Sequence, residues 1–480
     1  MYSIKRNFAF YGIAFLILLM SIILVILLAN LDNTIESIRE SIFLIPSFIL
    51  FLVTFLLSII SIRFYFIFFI FQLISLPSVF NYIFPSILLG VKSDVFNAPF
   101  PFITNIDIYL IFGIILGLIN KRTSAFSSWK ISFILISLLV SFLLNLITTD
   151  NSILAYLLFT GTYHIRFILL LYLLFNLWDF RKYEMELLIG FVISVAFLFF
   201  EALIYSSQNG MDRLTSGTLG SNTFGNIIAG IGVSLYFIFR TQKQKTYKRL
   251  SIFGFILCCA IVILTLNRSS IFAMLIATPV IYFYQRAKPL KNIFYISISI
   301  IVIFLAINIL PIKNYFNFLP KRLNVFSYFN EINFKEEVRT SETSSLITRF
   351  LLFKTSLKMI EKNPIIGIGN GRWNYLKSKY GFNEGVLIDS HNGFLSMISQ
   401  YGILALPILY YIYLFPFKVW RRVREKVYLI DYFIIINMVM LFCDLTNAGI
   451  SKYQVASLMI FIMFLAIDRE KEFLTGNNFA

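Results

Sequence analysis

The chain has 480 residues, of which 59% are apolar, 18% aromatic and only 14% charged, and its mean hydropathy is +0.82. Soluble domains are closer to half apolar and a quarter charged, so a water-soluble globule of this size cannot bury 55 Phe and 26 Tyr side chains. The composition therefore excludes a soluble enzyme, a disordered chain and a disulfide scaffold. The net charge of +17 must then lie mostly in loops.

The apolar stretches predict about fourteen membrane-spanning helices, or 12 or 13 if the shortest stretches do not cross. In chain order the predicted spans are 8–29, 41–60, 64–83, 106–120, 131–148, 163–178, 185–204, 222–239, 250–266, 270–285, 292–310, 396–417, 429–447 and 453–467. The first is too long for the core of a signal peptide and has no small-residue cleavage site, so we interpret it as an uncleaved span. We therefore predict an all-α polytopic membrane protein.

The basic residues are divided unevenly between the two sets of loops. About 23 of the 41 Lys and Arg residues fall on the side of the N-terminus, and about 12 of the others lie in one long loop, 311–395. The positive-inside rule then predicts that both termini are cytoplasmic and that 311–395 is extracytoplasmic. The predicted divisions are transmembrane helices at 1–310, this loop, and final spans with a short cytoplasmic tail at 396–480. Because the basic runs adjoin spans, where anionic lipid attracts them, no nucleic-acid partner is expected.

Six basic residues remain in the predicted short outer loops, against this charge bias, and three of the arginines among them are candidates for function. Arg166 closes a Tyr-His-Ile-Arg sequence, Arg213 follows Asp212, and Arg268 lies in a hairpin too short to be a simple tether. Each is either a snorkelling anchor or a functional cation. A guanidinium matches phosphate oxygens with two parallel hydrogen bonds, so three arginines on one face indicate a phosphate-bearing substrate.

The long loop contains a predicted amphipathic helix at 344–361. Its apolar stripe at helical spacing consists of Leu346, Phe350, Phe353, Leu357 and Ile360. Arg349 lies at the edge of the stripe and is expected to turn toward the protein. An ordinary surface helix with one flanking arginine is an equally acceptable interpretation. Pro364 ends the helix, and Gly367 and Gly369 follow in a glycine-rich sequence. These glycines permit close approach to a ligand or form a plain turn.

The chain has two histidines, His164 and His391, and both are predicted on the outer side. His391 lies where the long loop re-enters the membrane, and it is a candidate general base or polar anchor. Asp389 is a candidate to orient it, but residues two apart do not face each other on a helix. We interpret His164 as a hydrogen-bonded boundary residue.

Several motifs are absent from the sequence. The three cysteines all fall inside apolar spans, and no metal-ligand spacing, D-x-D sequence, phosphate-binding P-loop or G-x-S-x-G elbow occurs. We therefore expect no metal and no cofactor.

The motifs that the chain does contain resemble, in sequence and in order, those of the O-antigen ligases and the related O-antigen and exopolysaccharide polymerases. His391-Asn392 followed by Gly402 is similar to the family's H-N-x(9)-G signature. The family's helix with Pro-x-x-G-x-G, its Asn-Arg hairpin and its Arg…Gly…Asn segment are matched by residues 349–371, 264–270 and 213–222. The similarity covers roughly 160–415, and the first five spans contribute only topology.

The resemblance implies a GT-C-like fold and a metal-independent, inverting glycosyltransferase. Its donor would be an oligosaccharide on undecaprenyl diphosphate, at the outer face of a bacterial cytoplasmic membrane, and its acceptor a glycan or a lipid A core. Carried over to this chain, Arg213 and Arg268 bind the diphosphate, and Arg166 and Arg349 assist. His391 activates or positions the acceptor hydroxyl, with Asn392 beside it in the substrate site. The bilayer and a chain-length regulator are further expected partners.

Three functions remain open from the sequence. A repeat-unit polymerase is favoured over an O-antigen ligase, because ligases often carry Gly, Thr or Tyr where this chain has Ala405, and because the chain is somewhat long for a ligase. A lipid-linked-oligosaccharide flippase or other transporter is the second alternative. Such transporters tend to have internal repeats and short outer loops, and neither feature is found here. A peptidoglycan-type polymerase usually has fewer spans.

Overall fold

The computed structural model describes residues 36–75, 104–122, 126, 128–147, 161–208, 214–216, 220–284, 343–382, 390–423, 428–445 and 449–476. Within these ranges the regular structure is entirely helical, and no strand occurs in them. The predicted spans 8–29 and 292–310 lie outside the described residues.

The helices follow the predicted spans closely. The α-helices are α1 (Glu36–Ile60), α2 (Ile62–Ile74), α3 (Asn105–Ile119), α4 (Trp129–Ile147), α5 (Tyr163–Leu177), α6 (Glu184–Gln208), α7 (Gly220–Thr241), α8 (Lys245–Leu264), α9 (Arg268–Tyr284), α10 (Thr343–Lys362), α11 (Trp373–Leu376), α12 (Gly393–Tyr401), α13 (Leu406–Leu409), α14 (Phe415–Arg422), α15 (Ile435–Asp444) and α16 (Tyr453–Gly476). A widened turn, Tyr410–Leu414, joins α13 to α14, and a tight 3₁₀ turn, Leu429–Ile434, leads into α15.

Five helical stretches in the described part of the chain are long and apolar enough to cross a membrane: Trp129–Ile147, Phe180–Ser207, Asn222–Thr241, Lys245–Leu264 and Gly393–Arg422. Many of their outward side chains are large and apolar, as a surface in contact with lipid requires. The prediction of an all-α polytopic membrane protein is confirmed.

Helix α7 lies at the centre of the second half of the bundle, packed against α8, α9 and α15. Small residues allow this close packing, as is common between helices in membranes. A Cβ added at Gly232 would come within 2.9 Å of the Cys258 Cβ, and one at Gly230 within 3.2 Å of the Ile436 side chain. Cys258 is fully buried here, as the sequence indicated for a packing residue.

Helices α7 and α15 run antiparallel. Gly230 contacts Ile436, and four residues further along α7 the Ser234 hydroxyl donates to the carbonyl of Tyr432, which is four residues earlier in the chain. This pairing puts the start of α7 level with Asp444 at the end of α15. The start of α5 lies at the same end, because the Tyr163 hydroxyl donates to the Tyr453 carbonyl at 3.2 Å.

Candidate functional site

The glycine-rich turn after α10 docks on the backbone of α12. The amide of Ile368 donates to the Ser399 carbonyl, and the amide of Gly369 to the Gln400 carbonyl, each at 2.9 Å. Gly367 has φ +68°, and a Cβ added there would stand 2.4 Å from the Gln400 carbonyl carbon. The close approach that the glycines permit is therefore made, at Gly367, to the chain's own backbone.

Gly402 completes this junction from the other side. Its φ of 62° and ψ of −149° lie in a region that only glycine adopts readily. A Cβ added there would stand 2.3 Å from the Ile365 backbone. The next amide, that of Ile403, donates to the Pro364 carbonyl at 2.8 Å. The glycines of the two sequence motifs are thus parts of one packed unit.

Two polar residues of the membrane helix α4 hold the same turn. The Ser141 hydroxyl and the Asn145 amide nitrogen donate to the Ile366 carbonyl at 2.8 Å and 3.0 Å. The sequence analysis did not select these residues, although a polar pair four positions apart in an apolar helix is a usable signal.

His164 lies at the centre of the junction and is almost fully buried. Its Nδ1 is hydrogen-bonded to the Tyr401 hydroxyl at 2.7 Å, and the Asn370 amide nitrogen lies 3.4 Å from the same atom. His164 is indeed hydrogen-bonded, but it joins α5, the glycine-rich turn and α12 rather than merely marking a membrane boundary.

His391 immediately precedes the start of α12 and is half-buried. Its φ is +52°, a left-handed conformation that is uncommon for residues other than glycine and often found at functional sites. Asn392 fixes the segment: its side-chain oxygen caps α12 by accepting from the Leu395 amide, and its side-chain nitrogen donates to the Leu445 carbonyl, each at 2.9 Å. Asp389 lies outside the described residues.

Asp444 is a functional candidate that the sequence analysis missed. Its carboxylate is fully buried and accepts hydrogen bonds from the Tyr413 hydroxyl and from the amides of Gly449 and Ile450, the last two at 2.9 Å and 3.3 Å. A Cβ added at Gly393 would stand 2.8 Å from Asp444 Oδ2. A buried carboxylate therefore lies against the residue that follows His391-Asn392.

The turn that carries Arg268 is held by a cluster of amides and hydroxyls. The Asn226 side-chain oxygen on α7 accepts from Asn267 at 3.2 Å, from Ser269 at 3.1 Å and from Ser270 at 2.8 Å. The backbone of Arg268 begins α9 inside this cluster. Neutral hydrogen bonds therefore hold the backbone of the turn that carries Arg268.

The Arg268 turn and His391 lie at the same end of the bundle. The turn is bound to the start of α7, which is level with Asp444, and Asp444 contacts the start of α12. We call this end of the bundle, with residues 264–270, 363–371 and 390–393, the motif end. Arg213 lies outside the described residues, but the amide of Leu214 donates to the Leu264 carbonyl at 2.9 Å. The segment after Arg213 therefore lies beside the Arg268 turn.

Arg166 is paired with a carboxylate within the chain. Its Nη2 lies 2.9 Å from Asp107 Oδ2, and its guanidinium stands over the Tyr163 ring at 5.5 Å. Asp107 also accepts from the Thr104 amide at the start of α3. Because one carboxylate offsets its charge, Arg166 contributes less to an anion site than an uncompensated arginine would.

Much of the apolar stripe of the loop helix is exposed in the structure. Helix α10 spans Thr343–Lys362, but Phe350 is 61% exposed, and Phe353 and Leu357 are also exposed. The opposite face is buried on a small apolar core, built from Leu352, Met359, Ile368, Trp373, Tyr380 and Phe382. The glycine-rich turn folds back, so that this core packs on the face of α10 opposite its apolar stripe. Arg349 is half-buried.

The described residues include no group of three or more His, Cys, Asp and Glu side chains able to hold a metal ion. At the motif end these residues bring together amides, hydroxyls, His391 and Asp444. The turn that carries Arg268 lies at the same end.

Fold and site together define a multi-pass α-helical membrane protein with its candidate site in the turns at one end of the bundle. Residues 253–410 match the family model described as O-Antigen ligase, so the resemblance is confirmed over this segment. The match includes Arg268, Arg349, the glycine-rich turn and His391, and leaves out Arg166 and Arg213. It supports an enzyme of the ligase and polymerase kind. A search of curated proteins found no match.

Proposed function

We propose that this protein is a polysaccharide repeat-unit polymerase. It transfers a glycan from undecaprenyl diphosphate to an acceptor glycan. The observation that supports this most is the meeting of the matched motifs: the Arg268 turn and the His391 segment lie at one end of the bundle, where a lipid-linked donor would present its diphosphate.

In the proposed reaction the bond between the sugar C1 and the diphosphate oxygen breaks, and a bond from C1 to the acceptor oxygen forms on the opposite face, with inversion. Arg268 and Arg213, assisted by Arg166 and Arg349, offset the negative charge that grows on the leaving diphosphate. The His391 imidazole takes the proton of the acceptor hydroxyl. The loop at 311–395 holds donor and acceptor in attack geometry.

No metal is needed in this scheme, because a lipid diphosphate is already a good leaving group. The fixed positive charge of the arginines supplies the stabilisation that a metal gives elsewhere. Neutral hydrogen bonds to Asn226 hold the backbone of the turn that carries Arg268.

The donor assay uses the purified protein in nanodiscs with an undecaprenyl-diphosphate-linked oligosaccharide. We expect Arg268→Lys to lower turnover by at least about tenfold, because an ammonium cannot form the two parallel hydrogen bonds of a guanidinium. Lys354→Gln, an exposed cation on α10, is the matched control and should remain near full activity. Full activity of Arg268→Lys would exclude bidentate diphosphate binding. Movement of the intact donor across the membrane without bond cleavage would favour a transporter.

The proposed location is the bacterial inner membrane, with both termini cytoplasmic and the motif end outside. Lys379 is exposed in the loop at 343–382, and Lys243 is exposed at the opposite end of the bundle. An impermeant thiol reagent applied to whole cells or spheroplasts should label Lys379→Cys and not Lys243→Cys. The reverse pattern would overturn the orientation.

An O-antigen ligase is the second candidate, and it is favoured by the family that residues 253–410 match, which is described as O-Antigen ligase. The two functions differ in the acceptor. Supplying the donor with either a second lipid-linked oligosaccharide or a lipid A core separates them: longer lipid-linked chains identify a polymerase, and glycan on the core identifies a ligase. A chain-length regulator is a partner expected only of the polymerase.

A further inference from the structure

A group of basic side chains converges on one buried carboxylate at the end of the bundle opposite the motif end. Glu470 of α16 is 2% exposed. Lys130 forms an ion pair with its Oε2, and Lys418 Nζ and Arg422 Nη1 lie 3.0 Å and 3.5 Å from its Oε1. We call these four residues the basic cluster. Three cations and one carboxylate leave it with two positive charges in excess.

The cluster lies where the surface of the helical stretch Gly393–Arg422 changes from apolar to basic. Tyr410 is 41% and Leu414 52% exposed, and the side chains of Lys418 and Arg422 are each 45% exposed. These residues follow one another at steps of four, which repeat on one face of a helix. An exposed apolar face that turns basic at its end is the pattern of a helix leaving the acyl region for the headgroups.

Helix α4 shows the same transition on the other side of the cluster. Phe133 is 48% and Ile136 60% exposed, so this face of α4 is apolar and contacts lipid. Trp129, at the start of the helix beside Lys130, is 70% exposed, and tryptophan is enriched at the membrane–water interface. The basic cluster therefore lies at headgroup depth between two lipid-facing helices.

We infer that the basic cluster binds the headgroup of an anionic phospholipid, best one with two phosphates. Glu470 can neutralise only one of the three cations, and two phosphodiester charges match the remaining excess. Basic pockets between helices at this depth bind such headgroups, and the exposed apolar side chains on both sides accommodate the acyl chains. The lipid chemistry is independent of the proposed enzymatic function. The proposed topology only adds that the lipid belongs to the cytoplasmic leaflet.

The test measures binding of cardiolipin, phosphatidylglycerol and phosphatidylcholine to the full-length protein in a non-ionic detergent by native mass spectrometry. The variant is Lys418→Gln with Arg422→Gln. The matched control is Lys245→Gln with Arg249→Gln, which removes the same charge from exposed residues at the start of α8. We expect the variant to weaken cardiolipin binding about 25-fold, a factor of about five for each of the two cations near anionic lipid, and the control by less than about twofold.

Glu470→Gln provides a test with the opposite sign. It removes the internal counter-charge, so cardiolipin binding should strengthen severalfold. If the double variant does not fold, Arg422→Gln alone, at the longest contact, replaces it. The proposal would be overturned if the double variant and the control lost cardiolipin binding equally, or if Glu470→Gln bound cardiolipin more weakly. It would also be overturned if phosphatidylcholine bound as tightly as cardiolipin. Full competition by inorganic phosphate at millimolar concentration would overturn it as well, because this would identify a site for free anions.

Discussion

Two buried carboxylates, Asp444 at the motif end and Glu470 at the opposite end, are stabilised in different ways. Asp444 is bound by neutral donors, the Tyr413 hydroxyl and two backbone amides. Glu470 is bound by three cations. The two lie far apart: the stretch Gly393–Arg422, which begins against Asp444 and ends near Glu470, has 30 residues, or about 45 Å as a straight helix.

The difference has opposite consequences for the local charge. The Tyr413 hydroxyl and two backbone amides bind Asp444 without adding charge, and its carboxylate lies against Gly393, beside the His391 segment. The cations around Glu470 over-compensate it and leave positive charge at the membrane boundary. The first arrangement suits a proton acceptor, because a nearby carboxylate favours the protonated imidazole that forms when the acceptor hydroxyl is deprotonated. The second suits attachment to anionic lipid.

We expect the largest loss of stability and turnover from a substitution that disrupts the packing of the motif end. Gly402→Ala forces a side chain into a glycine-only conformation and into the Ile365 backbone. We expect the free energy of unfolding to fall by about 3 kcal/mol and turnover to fall at least about a hundredfold.

Gly381→Ala is the control for this prediction. Gly381 also has a left-handed φ, +98°, but within the described part of the chain the only atom near an added Cβ is the end of the Lys358 side chain at 3.3 Å. Its turnover should remain near that of the unmodified protein. Similar losses in both variants, measured by thermal unfolding and by the donor assay, would show that the 365–402 contact has no special role.

The comparison of the two carboxylates is tested directly by making the same change at both. Asp444→Asn keeps the shape but removes the charge, and we expect turnover to fall about tenfold because the imidazolium loses its stabilisation. Glu470→Gln should leave turnover within about twofold. Equal losses would mean that the local charge at the motif end does not contribute to the reaction. Donor turnover at saturating and limiting acceptor is the measurement.

A smaller effect is expected at the Arg268 turn. Asn226→Ala removes the acceptor of three donors and leaves Ser270 buried without it, so the free energy of unfolding should fall by about 1–3 kcal/mol. Turnover should fall about fivefold, mainly through weaker donor binding. The control is Thr278→Ala on α9, the helix that begins at Arg268, because the Thr278 hydroxyl donates to the carbonyl of Met274 in its own helix. An unchanged apparent affinity for the donor would separate this turn from donor binding.

The smallest effect is expected at α4. In Ser141→Ala the Ile366 carbonyl keeps its bond from Asn145, so we expect a loss of at most about 1 kcal/mol of unfolding free energy and nearly full turnover. A loss as large as that of Gly402→Ala would show that the turn depends on a single hydroxyl. Thermal unfolding in nanodiscs is the measurement.

The sequence predicted the membrane fold well, because apolar stretches of about 20 residues have few alternatives. It also selected the motifs that carry His391 and Gly402, and the structure places them at the two ends of helix α12. It did not predict Asp444, Asn226 or the depth of His164. The partners of these residues are far away in the chain, and only packing brings them together.

The sequence of α10 did not show which of its faces turns toward the protein. An apolar stripe shows where a helix can be buried, but in a membrane protein an exposed apolar face is also acceptable. The core formed by Trp373 and Tyr380 therefore decides which face turns inward, and neither residue belongs to the helix. Likewise, nothing in the sequence of α3 showed that Asp107 would pair with Arg166.

The most direct test of the proposed function is His391→Asn in the donor assay. Asparagine accepts a left-handed backbone more readily than alanine does, so this change removes the imidazole and keeps the conformation at φ +52°. With the protein folded and the donor still bound, we predict that turnover falls by at least about a hundredfold. Turnover within about twofold of the unmodified protein would contradict a catalytic His391.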